Sequence, residues 1–211
     1  FRRVLFRSTP GFAPMTDLVP MTIAAWGNQT LVVNPKARFN TLAEFLAAAK
    51  AQPGKVTFAS PGVGSPQHIA LELFQQQAGV EFLHVPYKGT APGVTDLIAG
   101  HVDAMLVATH TVMPYVTSGK LKALAVAAQS RHKTAPSLPS FGELGLKQFT
   151  TDAWYGFLAP RGTPPEILDR LTSEVRSILN LPDVWAALEK TGLDVRPSTS
   201  EEMRAVMQRE F

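Results

Sequence analysis

Ser60-Pro61-Gly62-Val63-Gly64-Ser65-Pro66-Gln67-His68 is the stretch of this sequence whose residue types and spacing could do chemistry. Val56 to Ala59 ahead of it reads as a buried strand. Ile69, Ala70, Leu73, Phe74 and Ala78 behind it fall at helical spacing. The loop therefore leaves the carboxyl end of a strand and opens a helix, with Ser65 as N-cap and Pro66 in the first helical position. Gly62 and Gly64 let the backbone approach a ligand closely, and free amides at the positive end of a helix dipole favour an anion. Anion binding is the chemistry this pattern predicts; a tight turn without a ligand is the alternative.

Other chemistries find less support. The loop begins like a dinucleotide fingerprint but lacks the third glycine, and His84-Val85-Pro86 stands where an acidic residue would meet a ribose. Ser65 lies in Gly-Ser-Pro rather than a G-x-S-x-G elbow, and no spacing brings His84 or Asp103 to it as a triad. The five histidines (His68, His84, His101, His110, His132) are dispersed, without the i, i+4 pairing of a helical metal site. There are no cysteines, which excludes disulfides and thiolate chemistry. Neither a metal nor a cofactor is expected. His68 stands apart from the other histidines because it lies in the first turn of the helix after the glycine loop.

A second loop has the same plan. Phe82 to Val85 is a predicted strand, and Tyr87-Lys88-Gly89 leads from it to Thr90 as the N-cap of a helix running to Ala99. Thr109 follows the next strand, Val102 to Val107. Ligands of open α/β sheets bind beyond the carboxyl ends of the strands, so these three loops converge on one predicted site.

The elements that must position these loops alternate along the chain. Leu31 to Val33 is a short strand, and Thr41-Leu42-Ala43-Glu44 is a capping box opening a helix that reaches Lys50. Val112 to Thr117 is a short helix and Leu121 to Ala127 the next strand. These strands are continuously apolar, as where helices cover both faces of a parallel sheet. A four-strand α/β unit is predicted over residues 27–150, with Ser130 to Thr151 as a surface connection. Trp154 to Leu158 reads as a strand, and Thr163-Pro164-Pro165-Glu166 as a second capping box. The helix it opens carries the stripe Ile167, Leu168, Leu171, Val175, Ile178 and Leu179. Helices at Val184 to Glu189 and Glu201 to Glu210 follow. Residues 9–26 and 151–211 together read as a partial first lobe, and 27–150 as the second.

Composition sets the outer bounds. The chain has 211 residues, 45% hydrophobic and 18% charged, which is ordinary globular composition. No run approaches the ~20 apolar residues that span a bilayer. The net charge of +3 rests on Arg2, Arg3 and Arg7; without them, basic and acidic side chains number 17 each. Phe1 to Ser8 (residues 1–8) is the translation of a common sequencing adapter and is set aside as an artefact. No basic stripe with interleaved aromatics remains, so a nucleic-acid partner is not expected.

The two loop motifs, Ser60 to His68 and His84-Val85-Pro86-Tyr87-Lys88-Gly89, resemble those of the substrate-binding receptors of tripartite tricarboxylate transporters. Asp96-Leu97-Ile98-Ala99-Gly100-His101-Val102-Asp103, Gly119-Lys120-Leu121-Lys122-Ala123-Leu124-Ala125-Val126 and Trp154-Tyr155-Gly156-Phe157-Leu158-Ala159-Pro160 continue the likeness in order. Lys122 stands where the family often has an arginine.

The resemblance implies a two-lobed, type II periplasmic binding fold, with the N-terminal part of the first lobe missing from this sequence together with a signal peptide. It implies a periplasmic, monomeric, non-enzymatic protein that captures a small organic carboxylate for the membrane components of such a transporter. It also implies that the carboxylate is held between a glycine-rich loop of the first lobe and the loop Gly62 to Ser65. Together with the converging loops read above, Ser60, Gly62, Val63, Gly64, Ser65, His68, Tyr87, Gly89, Thr90, Thr109 and Trp154 are this chain's expected share of the ligand site. Trp26 and Trp154 are expected near the strands that connect the lobes. Two readings compete with it: an α/β hydrolase or transferase using Ser65, and the effector-sensing domain of a transcriptional regulator.

Overall fold

Short-range sequence signals set most of the helix ends. Thr41 caps its helix by accepting the Glu44 N–H, and the Glu44 carboxylate accepts from the Asn40 N–H at 2.7 Å, one residue earlier than the expected Thr41. The computed structural model of the protein describes residues 13–132, 135–147, 149 and 151–210; the adapter-like octet lies outside them. Contacts divide the chain into two compact units, one drawing on the chain up to Gly27 and from Ala153 onward, the other spanning Asn28–Asp152. The first elements are α1 (Pro14–Asp17) and β1 (Leu18–Gly27). The sequence reading missed β1 because Pro20 interrupts its apolar alternation; its pairing shifts register between Pro20 and Thr22, which accommodates the missing donor.

The unit spanning Asn28–Asp152 holds β2 (Gln29–Val33), α2 (Leu42–Ala51), β3 (Thr57–Ser60), α3 (Pro66–Ala78) and β4 (Leu83–Pro86). It continues with α4 (Thr90–Ala99), β5 (Ala104–Ala108), α5 (Thr109–Thr117) and β6 (Lys122–Val126). The sheet has five strands, one for each strand read individually from the sequence though the unit was expected to have four, in the order β4-β3-β5-β2-β6. It is mixed rather than parallel: β3 runs parallel to β4 and β5, while β2 lies antiparallel to β5 and β6. Apolar continuity could not reveal that reversal, because both faces of the sheet are covered whichever way a strand runs. Leu31, Val33, Phe58 and Leu106 enter one core cluster, and Val32, Ala59, Met105 and Val107 enter the other. Phenylalanines fill the first, with Phe45 and Phe82 stacked at 5.1 Å between ring centroids.

The remaining elements belong to the unit that contains β1. They are β7 (Ala153–Pro160), α6 (Pro165–Leu179), α7 (Pro182–Lys190), β8 (Asp194–Val195) and α8 (Ser200–Glu210). Their sheet has the order β7-β1-β8, and Trp26 lies opposite Trp154 in the antiparallel β1–β7 register. Ile23, Met203 and Met207 form its buried cluster. One expectation fails here. The second capping box does not form, because Thr163 sits before the cap and its hydroxyl donates to the Pro160 carbonyl instead. The apolar stripe of α6 is real, yet only Leu179 is buried, while Ile167, Leu171 and Ile178 stay near half exposed.

Candidate functional site

The parallel strands β4, β3 and β5 are neighbours, so the loops leaving their carboxyl ends lie side by side. The loop after β4 is stitched to the loop after β3 by main-chain bonds. Tyr87 N–H donates to the Ser60 carbonyl and Gly89 N–H to that of Pro61, each at 2.9 Å. Gly62 allows this approach. Its φ is +146°, and a Cβ there would stand 3.2 Å from the Tyr87 carbonyl oxygen. Gly89, with φ +114°, is the N-cap of α4, and Thr90 is its first helical residue rather than the expected cap.

Ser65 caps α3, its hydroxyl accepting the His68 N–H at 3.2 Å, with Pro66 next in the helix. The loop amides were expected to be free, but several have protein partners. Gly62 N–H donates to Ser60 Oγ, Gly64 N–H to His68 Nδ1 at 3.0 Å, and Ser65 N–H to the Gly62 carbonyl. Among the described residues, the N–H groups of Val63 and Gln67 meet no protein acceptor. Val63 is exposed.

Beneath the loop lies a polar chain that sequence reasoning did not assemble. Ser60, fully buried, shares a 2.6 Å hydrogen bond with His84 Nε2. The His84 ring stacks on that of His68, with centroids 4.2 Å apart and planes 19° from parallel. Burial lowers the His84 pKa, and the neighbouring His68 ring lowers it further, against the opposing pull of Glu72. His68 Nδ1 accepts the Gly64 N–H, which places the ring proton on Nε2, 3.4 Å from Glu72 Oε1. The β3–β4 register, which sets Phe58 opposite His84, brings Ser60 and His84 within reach, and nothing in local sequence states that register.

The Tyr87 hydroxyl donates to Asp96 Oδ2 at 2.7 Å. Burial, then that bond and the Asp96 charge, push the phenol pKa up to about 12. The same bond, joined by His101, holds the Asp96 carboxyl below its ordinary value. Thr109 is buried and has its hydroxyl tied to Thr30 Oγ1 and the Asn28 carbonyl, so it braces β5 against β2. Trp154 belongs to the other unit, where its Nε1–H donates to Glu210. The structure thus gathers Ser60, Gly62, Val63, Gly64, Ser65, His68, Tyr87, Gly89 and Thr90 around two stitched loops. Among the described residues, no group of histidine, aspartate and glutamate side chains could hold a metal ion.

A sheet presenting a glycine-rich, helix-capping loop at its carboxyl edge is a ligand-binding plan shared by many open α/β folds. The match to known proteins is specific: residues 5–211 fit the tripartite tricarboxylate transporter family receptor, and the chain belongs to that family. A UPF0065 protein encoded between tcbD and tcbE in a Pseudomonas species is 39% identical over 84% of this chain and 53% of its own length. The chain spans a little over half the length of the curated relatives it matches first. Among solved structures, R. palustris Rpa4515 with adipate superposes with a TM-score of 0.92 at 29% identity, covering 99% of this chain and 69% of that one. MatC from Rhodopseudomonas palustris, with bound malate, gives 0.85 at 28% identity over 98% and 71%. Among the described residues, no helix is long and apolar enough to cross a membrane.

Proposed function

We propose that the protein is a periplasmic receptor. It captures a small organic carboxylate as a monomer and passes it, unchanged, to the membrane components of a tripartite tricarboxylate-type transporter. The observation that carries this reading is the loop from Gly62 to Gln67. It is a glycine-shaped backbone at a helix N-terminus, and the Val63 and Gln67 N–H groups have no protein acceptor among the described residues. A negative charge there gains roughly 0.3–1 kcal/mol from the helix dipole. Each direct hydrogen bond to a charged group adds roughly 1.5–3 kcal/mol.

Two similar proteins were solved with dicarboxylates, adipate and malate, which supports the ligand class. A receptor that feeds a membrane transporter works on the side from which solute is taken up, which supports the compartment. A hydrolase reading finds less support: among the described residues the Ser65 hydroxyl, which caps α3, has no imidazole or carboxylate partner to act as base, and Ser60, the serine bonded to an imidazole, is fully buried. Titrating the full-length protein calorimetrically with adipate and with malate should give saturable binding of at least one, and the ligand should be recovered intact. Conversion of the bound acid to product would overturn the reading.

A further inference from the structure

We propose that His68 is a positioning residue for the carboxylate, acting through the Gly64 amide rather than on the ligand. The inference rests on the reading of the Gly62–Gln67 loop as the carboxylate site. Gly64 lies at φ +81°, a conformation that glycine adopts freely and that the loop must therefore hold by other means. The hold is the 3.0 Å bond from Gly64 N–H to His68 Nδ1, reaching back from the first turn of α3 to the residue before its cap.

The ring that accepts this bond is itself fixed from two other directions. Its Nε2 edge faces Glu72, one turn further along the helix, at 3.4 Å. Its face lies on His84, which Ser60 anchors at 2.6 Å from a fully buried position on β3. An imidazole suits this place because it offers an acceptor on one edge and a donor on the other in one rigid plane. With Gly64 N–H occupied, the loop amides left for a ligand are those of Val63 and Gln67, and their spacing is set before the ligand arrives. Ordering paid in advance is affinity gained on binding.

Two substitutions separate this role from simple packing. His68→Leu keeps the bulk but removes the acceptor, whereas His68→Asn places a carbonyl oxygen two bonds from Cβ, where Nδ1 now stands. Calorimetry on the full-length protein with adipate and malate should show His68→Leu weakening binding by about tenfold, with His68→Asn recovering most of the loss. Nitrogen-15 NMR should report Nδ1 of His68 as unprotonated in the wild type. The Gly64 amide should be protected from exchange in wild type and His68→Asn but not in His68→Leu. Ser65→Glu, which sets a negative charge at the loop itself, is the reference arm. If Ser65→Glu weakens binding while His68→Leu does not, His68 has no positioning role and the site reading stands. If neither variant weakens binding, the loop is not the carboxylate site. A protonated Nδ1, or a Gly64 amide exchanging equally in all three proteins, would refute the bond on which the proposal depends.

Discussion

Replacing Gly62 with alanine should cost more than replacing a positive-φ glycine whose surroundings are open. At φ +146° an alanine is strained, a cost of about 1–3 kcal/mol for a side chain held in a sparsely populated region. The new Cβ would also press the Tyr87 carbonyl oxygen at 3.2 Å, tighter than ordinary contact. That oxygen belongs to a backbone held by the Tyr87–Ser60 and Gly89–Pro61 bonds, so it cannot swing away without loosening both. Gly119 is the control. Its φ is +72°, and no atom lies within 4 Å of where its Cβ would stand, so Gly119→Ala carries the backbone strain alone. We expect Gly62→Ala to cost about 2–3 kcal/mol and Gly119→Ala about 1 kcal/mol. At roughly 2–4 °C per kcal/mol for a chain of this size, the two should melt about 4–12 °C and about 2–4 °C below wild type. Thermal unfolding of the full-length protein followed by circular dichroism measures both. Equal melting temperatures for the two variants would refute the reasoning, because the stricter backbone and the Tyr87 contact at Gly62 would then together contribute nothing.

Ser65→Glu should weaken carboxylate binding by about tenfold or more. Two like charges at 4 Å repel by about 1 kcal/mol in water and about 4 kcal/mol near a protein surface, and calorimetry beside Ser65→Ala separates that charge from the lost cap. The low pKa of His84 gives the protein an acid limb. The unfolded chain binds a proton below its ordinary value of about 6.5 that the folded state resists, so stability is lost as the pH falls below that value. His110, whose pKa is also lowered by burial, shares the window, so denaturant unfolding between pH 7 and 5 should show His84→Gln with a shallower loss, not a flat one. An unchanged slope would mean that His84 is not held neutral by its surroundings.

Helix caps and glycine turns were largely legible from residue type and spacing, whereas strand pairing and the partner that each side chain selects were not. Ser65 as cap with Pro66 behind it, the Thr41 cap and the left-handed Gly79 closing α3 are each settled within a turn of chain. The capping box at Thr163 failed because a proline supplied the cap position and the threonine hydroxyl found a carbonyl in the preceding turn. The antiparallel course of β2 left no mark on its composition, since both faces of the sheet are buried. Within the candidate site, the glycine loops could be read from type and spacing. The bonds that consume the Gly62 and Gly64 amides could not, because one partner is offered by the strand before the loop and the other by the helix after it.

The two loops beyond β3 and β4 are joined through backbone atoms, Tyr87 N–H to the Ser60 carbonyl and Gly89 N–H to the Pro61 carbonyl. Main-chain stitching is indifferent to most side chains. Substitutions at the exposed Val63, or at the half-buried Gln67, can therefore alter what the loop displays without shifting where the loop lies. On the proposed reading, a cradle of this construction separates the backbone that meets the carboxylate from the side chains that distinguish one acid from another. One scaffold can thereby acquire new ligands by changing a few side chains at its rim.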